Sequence, residues 1–209
     1  NYLIEILKLN IENNFLLFLI SFFLIFCGVA IINFINFMDG IDGLVSSCLS
    51  VLFFVFSIKT GSEYLPFVGS LLIFTKWNWQ PSKIFMGDIG STFLGASITG
   101  MLFSSKNLSL SIETLLVCTP LMMDSCWCII RRLINNENIV KAHKKHLFRR
   151  LTMNGFSHSK ISIIYLFGTF LISIPYLFGN IIMVFLTACF VGIVGIYIDK
   201  KYAVPFNKC

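Results

Sequence analysis

The sequence predicts an all-α, polytopic helical membrane protein, and two features of its composition carry that prediction. Hydrophobic residues make up 56% of the 209-residue chain, whereas charged residues make up only 12%. A soluble domain of this length normally carries about twice that charged fraction. With a mean hydropathy of +0.84, the chain has more apolar surface than a water-soluble fold could bury, so a lipid bilayer is the expected environment.

The apolar residues form seven stretches, which we interpret as about seven transmembrane helices. The stretches cover about 15–35, 44–58, 64–79, 91–104, 112–130, 161–178 and 181–198. Several are shorter than the roughly 20 residues that a straight span requires, so some helices are expected to be short or broken. No internal repeat or linker separates them, and we interpret residues 1–209 as a single membrane domain. The seven cysteines lie mostly inside these stretches and are interpreted as small buried hydrophobic residues.

The distribution of basic residues predicts which loops face the cytoplasm. Alternating spans place four loops on one side of the membrane, at about 36–43, 80–90, 131–160 and 199–209. That side holds 13 of the 16 Lys and Arg residues, and the other side holds only Lys8, Lys59 and Lys106. Cytoplasmic loops carry an excess of Lys and Arg, so this side is predicted to be cytoplasmic.

The aspartates collect on the same side, which a topology signal alone does not explain. They are Asp39, Asp42, Asp88, Asp124 and Asp199. Carboxylates near the ends of membrane helices are costly unless they bind something. Because they are mixed with a surplus of cations, they predict a site for a metal-bound, phosphorylated ligand.

The first motif reads NFINFMDGIDGL and runs from Asn33 to Leu44. Its two Asp-Gly pairs, at Asp39 and Asp42, close one predicted helix and open the next. Gly permits a tight turn and close approach of a ligand, and ionised Asp suits Mg²⁺ or the donor groups of a nucleotide. An ordinary turn with Asp42 as helix N-cap would explain one such pair. The doubled pair, preceded by two Asn residues, favours a functional site.

The second motif reads FMGDIGST, from Phe85 to Thr92, and precedes the apolar stretch at 91–104. Glycines and small hydroxyls at a helix N-terminus leave backbone N–H groups available to a phosphate. Asp88 could hold a divalent cation that bridges phosphate oxygens. Phe85 could offer a ring face to a nucleobase. The structural alternative is an N-terminal cap with an acidic first turn.

The third motif combines Pro120 and Asp124 in one apolar stretch with the basic run that follows it. Pro120 can break a membrane helix, and Asp124 is expected to pair with an Arg or Lys of the loop. The basic run contributes the candidates Arg131, Arg132, His143, Lys145 and His146, a set suited to clamping a pyrophosphate. The remaining histidine, His158, is interpreted as solvated.

The three motifs, in this order and on one side of the membrane, resemble the polyprenyl-phosphate N-acetylhexosamine-1-phosphate transferase family. The resemblance covers roughly residues 15–160, through Asn36 to Leu44, Phe85 to Ser91 and Pro120 to Arg132. It implies Mg²⁺, with Mn²⁺ as the alternative, held by Asp88 and Asn36. It also implies catalytic roles and substrate-binding roles. The catalytic residues would be Asp39, Asp42, Asp88 and His146, and the substrate-binding residues would be Asn33, Asn36, Phe85, Arg131, Arg132, His143 and Lys145.

The reaction that the resemblance implies is phosphoryl transfer at the inner face of a bacterial cytoplasmic membrane. A HexNAc-1-phosphate would move from a UDP-HexNAc or UDP-deoxy-HexNAc donor to undecaprenyl phosphate, with release of UMP. The product would begin O-antigen or another cell-envelope glycan. The expected partners are these substrates and membrane lipid, and no nucleic acid is expected. A homodimer is one assembly that the chain could form.

The chain departs from the family pattern in two places. The family's last loop commonly reads HxHH, and here it reads HLFR, from His146 to Arg149. A pocket with Phe148 and Arg149 in place of two imidazoles should tolerate a less polar sugar, so a 6-deoxy donor is expected, with UDP-GlcNAc as the alternative. The chain also has no Asp-Asp pair, which the family carries on an earlier loop, so we expect N-terminal helices to be missing. An inactive fragment, a membrane scaffold and a transporter are the competing interpretations.

Overall fold

The computed structural model describes residues 14–139, 141 and 143–208, so the placement expected for Lys8 lies outside the described residues. Within these ranges the chain is helical, without a strand. The helices are α1 Asn14–Met38, α2 Leu44–Thr60, α3 Leu65–Asn78, α4 Gly87–Ser104, α5 Leu108–Val117, α6 Thr119–Ile134, α7 Leu147–Met153, α8 His158–Leu177 and α9 Ile181–Tyr202. Two short 3₁₀ helices cover Ser62–Tyr64 and Phe206–Lys208.

The prediction of an all-helical membrane protein with short and broken spans is confirmed. Helices α1, α8 and α9 are long and apolar enough to cross a bilayer, while α2 is apolar but shorter. The stretch predicted at 112–130 is two helices, α5 and α6, bent by 77° at a break, and together they would make a fourth span. Pro120 lies in the first turn of α6, where its missing N–H costs no hydrogen bond.

Two further differences concern the ends of the predicted stretches. Helix α4 begins at Gly87, four residues before the expected start, because the GDIGS segment is itself the first turn of the helix. The predicted loop at 131–160 contains the short helix α7. Both differences place motif residues on regular structure, which fixes the directions of their side chains.

The cysteines are less uniformly buried than we expected. Cys48, Cys118 and Cys128 are buried, whereas Cys27 and Cys126 are half-buried and Cys189 is exposed. Cys209 lies outside the described residues. The prediction of small buried residues is therefore correct for three of them and wrong for Cys189, which lies on the outward face of a membrane-spanning helix.

Helix α2 forms the centre of the bundle and packs against α3 and α8. Large apolar side chains such as Leu49, Leu52 and Phe53 are almost fully buried there. The buried hydroxyls of Ser50 and Ser57 donate to carbonyls one turn earlier in the same helix, at 2.7 Å in both cases. Burial therefore leaves neither hydroxyl without a hydrogen-bond acceptor.

Helices α1 and α4 approach closely because glycine lies in their interface. A Cβ atom on Gly95 would come within 2.7 Å of the Cα of Ile32, so any larger residue would push the two helices apart. One turn of α4 further along, the hydroxyl of Thr99 donates to the carbonyl of Gly28 at 3.4 Å. This packing sets the distance between the C-terminal end of α1 and the first turn of α4, where motif residues meet.

Candidate functional site

Asn36 and Asp88 meet where the end of α1 faces the start of α4. The amide nitrogen of Asn36 donates to a carboxylate oxygen of Asp88 at 3.3 Å and to the hydroxyl of Ser91 at 2.8 Å. Ser91 is fully buried and also donates to the carbonyl of Gly87 at 3.0 Å. The two sequence-predicted metal ligands are thus in contact, held by a hydroxyl from the next turn of α4.

Asp39 adds a second carboxylate to this corner. Partial burial and the neighbouring negative charge of Asp88 raise the pKa of Asp39 from 3.8 to about 6, against a smaller opposing effect of a hydrogen bond with the Gly87 backbone. Two neighbouring carboxylates can share a cation in place of a proton. The structure therefore brings together Asn36, Asp39 and Asp88, and we call this group the carboxylate cluster.

The first turn of α4 supplies backbone donors beside the carboxylate cluster. The N-cap residue, Met86, makes no side-chain cap, so the first N–H groups of the helix have no side-chain acceptor from that position. Gly87 has a φ of +66°, a conformation that favours glycine, and it turns the chain into the helix. Free N–H groups and the positive end of a helix attract an anion such as a phosphate oxygen.

Asp42 lies in the second half of the loop between α1 and α2, and its partners come from the loop between α3 and α4 and from the start of α8. Its carboxylate accepts from the hydroxyl of Ser82 at 3.0 Å and lies 3.3 Å from Nδ1 of His158. The carbonyl of Asp42 accepts from the hydroxyl of Ser162 at 2.8 Å. The interpretation of His158 as solvated is therefore only partly correct, because its side chain is 38% exposed but its ring also contacts Asp42 where α8 begins against this loop.

A buried amide, Asn78, joins the loop between α1 and α2 to the loop between α3 and α4. Its oxygen accepts from the backbone N–H of Gly43 at 2.9 Å, and its nitrogen donates to the carbonyl of Ile84 at 2.9 Å. Sequence reasoning did not select Asn78. Its position between Trp77 and Trp79 was the available signal, since a buried polar residue among aromatics needs specific partners.

Asp124 holds the start of α7, within the basic run at 141–151, but its partners are not the Arg or Lys that we expected. Its carboxylate accepts from the backbone N–H of Leu147 at 2.8 Å, the N–H of Phe148 at 3.3 Å and the hydroxyl of Tyr165 at 2.7 Å. The prediction of an Arg or Lys partner is wrong. The N–H groups at the start of α7 have no acceptor within the helix, so they can neutralise the buried carboxylate in place of a cation.

Helix α7 lies against the Asp39 loop through Gly40. A Cβ atom on Gly40 would come within 2.8 Å of the Phe148 ring and 2.9 Å of the Arg149 guanidinium. Phe148 is fully buried in this contact, so the expectation that its ring lines a sugar pocket is wrong. Arg149 is half-buried and carries its charge to the edge of the loop between the carboxylate cluster and Asp42.

Two histidines stack beside this contact. The ring centroids of His143 and His146 are 5.0 Å apart, and those of His146 and Phe148 are 5.7 Å apart. His146 is buried and also lies 6.1 Å from the ring of Phe37, which precedes the Asp39 loop. Burial and the nearby positive charges lower the pKa of His143 to about 4, so this imidazole is neutral at physiological pH.

Three predicted substrate-binding cations have internal partners. Arg131 donates to Asp199 at 2.5 Å, and Lys145 donates to Glu137 at 2.6 Å. Arg132 is buried and donates to the carbonyls of the loop that follows it, including that of Ile139 at 3.1 Å. Arg132 and Lys145 thus brace the loop between α6 and α7, whereas Arg131 joins α6 to α9. The structure does not bring these three side chains into the carboxylate cluster.

Within the described residues, no hydrogen bond joins the two remaining sequence candidates to the cluster. Asn33 donates to the carbonyl of Val29 at 2.8 Å, one turn earlier in its own helix. Phe85 lies two residues before the start of α4 and is 78% exposed, so its ring is open to an incoming ligand.

An apolar cavity of about 480 Å³ lies between α6, α8 and α9. Its walls include Pro120, Trp127 and Phe190, and its polar end reaches Arg131 and Arg150. Arg150 pairs with Asp199 and donates to the carbonyl of Val204 at 2.9 Å. The cavity is large enough for part of a hydrocarbon chain, and its polar end carries Arg131 and Arg150 together with Asp199.

Together the fold and the site define a polytopic membrane protein with a carboxylate-and-amide site at one end of its helical bundle. Comparison with known sequences gives the family. Residues 2–106, which include the whole carboxylate cluster and Asp42, match the model of glycosyl transferase family 4. The chain belongs to that family, which confirms the resemblance of its motifs.

A curated relative shares the same region. The chain is 38% identical over 107 residues to a probable undecaprenyl-phosphate N-acetylglucosaminyl 1-phosphate transferase of Bacillus subtilis (strain 168). The similarity covers 48% of this chain and 30% of that relative.

Proposed function

We propose that this chain carries the nucleotide-sugar and metal-binding part of an enzyme that transfers a HexNAc-1-phosphate from a UDP-sugar to undecaprenyl phosphate. An oxygen of the lipid phosphate attacks the β-phosphorus of the donor, and the bond from that phosphorus to the bridging oxygen breaks. The products are a lipid diphosphate sugar and UMP. Family membership and the name of the Bacillus subtilis relative support this proposal.

The observation that carries the proposal is the carboxylate cluster itself. Asn36, Asp39 and Asp88 come from two helices and a loop, yet they converge beside the open N-terminus of α4. Hard oxygen donors next to the N-terminal turn of a helix suit a magnesium pyrophosphate, in which cation and phosphate oxygens must be bound together.

The donor set fits Mg²⁺, with Mn²⁺ as the alternative. Asp39 and Asp88 are the carboxylate ligands that this cation prefers, and their mutual repulsion is relieved when it binds. Asn36 presents its amide nitrogen to Asp88, so its oxygen becomes a ligand only in the opposite amide orientation. When bound, the cation supplies charge neutralisation at the pyrophosphate.

The other residues position the reactants. Asp42, which Ser82 and His158 hold in place, would contact the nucleotide. Arg149 offers a charge for the phosphates, and the exposed ring of Phe85 offers a surface for uracil to stack on. We assign His146 a positioning role, since it is buried and lies under Phe37 and Phe148.

The lipid acceptor is proposed to lie with its chain in the apolar cavity and its phosphate near the cationic end. The positive-inside count favours the cytoplasmic face for this end of the bundle. On this account the protein works in a bacterial cytoplasmic membrane and begins the assembly of a cell-envelope glycan.

For the donor we propose UDP-GlcNAc, as in the name of the relative. The argument for a 6-deoxy sugar required Phe148 to face the ligand, and that side chain is buried. A panel of UDP-GlcNAc, UDP-QuiNAc and UDP-FucNAc, assayed in membranes with undecaprenyl phosphate, distinguishes the cases. Preference for UDP-GlcNAc supports the proposal, and preference for a 6-deoxy donor overturns this choice of sugar.

Substitution of Asp88 tests the proposed function. In the full-length protein, Asp88→Asn should lower the transfer rate by about 10²-fold or more at saturating Mg²⁺, because one ligand of the cation is lost. Glu63→Gln is the matched control, since Glu63 is an exposed carboxylate at the other end of α2 from this site. Equal turnover by wild type and Asp88→Asn would refute the assignment.

A further inference from the structure

We propose that Cys128, His143 and His146 form a second cation site, selective for Zn²⁺ and similar soft metals. Each of the three offers a ligand atom, and these atoms lie within 4.8 Å of one another. The Cys128 sulfur is 4.0 Å from Nδ1 of His143, and the rings of His143 and His146 are stacked 5.0 Å apart. None of these atoms belongs to the carboxylate cluster.

The fold brings these residues together through one face of α6. Cys128 follows Asp124 by four residues, so both side chains point to the same side of the helix. Asp124 binds the first N–H groups of α7, which holds His146 beside Cys128. His143 lies in the segment between α6 and α7, where the described residues form no helix.

A buried ring nitrogen supplies independent support. Nδ1 of His146 is buried and has no hydrogen-bond partner among the described residues. It lies 3.6 Å from a carboxylate oxygen of Asp124, which is near enough to orient the ring. In metal sites one imidazole nitrogen commonly faces a carboxylate and the other binds the cation. With Nδ1 facing Asp124, Nε2 of His146 is the ring nitrogen left to bind a cation.

The donor types determine the metal. One sulfur and two imidazole nitrogens suit Zn²⁺, Co²⁺ or Cd²⁺, whereas Mg²⁺ prefers oxygen ligands. On binding, a metal–sulfur bond forms and the thiol proton of Cys128 passes to solvent. The thiolate and Asp124 then offset the positive charges of Arg132 and Arg149, which face His143.

Closure of the site requires a small movement. Ligand atoms around Zn²⁺ lie roughly 3.5 Å apart, so the present separations of up to 4.8 Å must shorten by about 1 Å. Binding through Nδ1 of His143 also replaces the hydrogen bond of 3.2 Å that the Lys145 N–H donates to it. Water would complete the coordination, since the three side chains fill three of four tetrahedral positions.

Cobalt spectroscopy tests the site without any assay of activity. We expect Co²⁺ added to the full-length protein in detergent to produce a near-ultraviolet thiolate charge-transfer band, and Zn²⁺ to abolish it. Cys128→Ser should remove the band and weaken Zn²⁺ binding at least about tenfold. Cys126→Ser is the matched control, because this half-buried cysteine lies on the same helix and outside the cluster. A band that persists in Cys128→Ser, or its absence from the wild type, would overturn the proposal.

A second measurement concerns regulation and rests on the proposed function. Because His146 lies against the Asp39 loop through Phe37 and Phe148, Zn²⁺ should inhibit transfer at saturating Mg²⁺. With each rate expressed relative to the same variant without Zn²⁺, Cys128→Ser should require at least about tenfold more Zn²⁺ for half inhibition. Equal Zn²⁺ sensitivity of Cys128→Ser and wild type would contradict inhibition through this site. The cobalt result is unaffected by a failure of the transferase assignment.

Discussion

The carboxylate of Asp124 accepts a hydrogen bond from the backbone N–H of Leu147 at 2.8 Å, across 23 residues of sequence. This hydrogen bond joins α6, the second helix of the bent α5–α6 pair, to the first turn of α7. Helix α7 in turn holds Phe148 and Arg149 against Gly40 in the Asp39 loop. A buried carboxylate outside the carboxylate cluster therefore sets the position of α7 against the Asp39 loop.

Removal of this carboxylate should be severe. Asp124→Ala leaves the N–H groups of Leu147 and Phe148 without their acceptor, and we expect a loss of about 2–3 kcal/mol in unfolding free energy. The transfer rate should fall as well, because α7 is released from Gly40. Tyr165→Phe removes only one donor to Asp124 and should cost about 1 kcal/mol. Thermal unfolding in detergent checks both, and equal midpoints for Asp124→Ala and wild type would refute the capping role.

The contact between α1 and α4 should tolerate no side chain at Gly95. Gly95→Ala forces the Ile32 backbone away and should destabilise the protein by about 1–3 kcal/mol. Gly100→Ala is the control on the same helix, because a Cβ there meets nothing within 4 Å. It should be neutral or stabilising by up to about 1 kcal/mol. If both variants unfold at the same temperature, the close packing of α1 on α4 is wrong.

His158 should affect activity more than stability. The His158 side chain is 38% exposed, so its contact with Asp42 should contribute less than about 1 kcal/mol. His158→Leu frees the Asp42 carboxylate from one side and should lower kcat/KM roughly tenfold through loss of positioning. Lys160→Gln changes an exposed residue in the same turn of α8 and should keep wild-type kinetics. Wild-type kinetics in His158→Leu would show that this contact does not position Asp42.

Proton competition at Asp39 predicts how metal binding changes with pH. Its pKa is raised to about 6, so the folded protein holds this proton more tightly than the unfolded chain does. Without metal, the resulting stabilisation is lost as the pH rises from 3.8 through about 6. A cation must displace the proton, so Mn²⁺ affinity, measured by electron paramagnetic resonance, should fall as the pH drops below about 6.

The variant Asp39→Asn separates this effect from other titrations. It should bind Mn²⁺ more weakly near neutral pH and lose most of the dependence between about pH 7 and about pH 5, since no proton competes at that position. Glu63→Gln should keep the wild-type profile. An affinity in the wild type that does not change over this range would contradict the role of Asp39.

Sequence patterns predicted most of the helices and the residues of the carboxylate cluster. Apolar runs of helical length are local signals, and the Asp-Gly pairs and the GDIGS segment mark helix ends wherever the rest of the chain lies. Asn36 and Asp88 could be expected on one side of the membrane because helices alternate in direction.

Partnerships between distant side chains were not predictable in the same way. Arg131 and Lys145 looked like ligand-binding cations until the structure paired them with Asp199 and Glu137. His158 looked solvated because nothing local indicates that α8 begins beside Asp42. Charge and hydrogen-bonding capacity are readable from the residue type, but the partner depends on packing between elements.

The nucleotide product of the reaction tests the central claim most directly. Full-length protein in membranes would receive undecaprenyl phosphate, Mg²⁺ and UDP-GlcNAc labelled at the β-phosphorus. Transfer of sugar-1-phosphate predicts that the label enters the lipid fraction in step with release of UMP, and that Asp88→Asn loses both. Release of UDP with the label left in the aqueous phase would mean that only the sugar is transferred, and it would contradict the account.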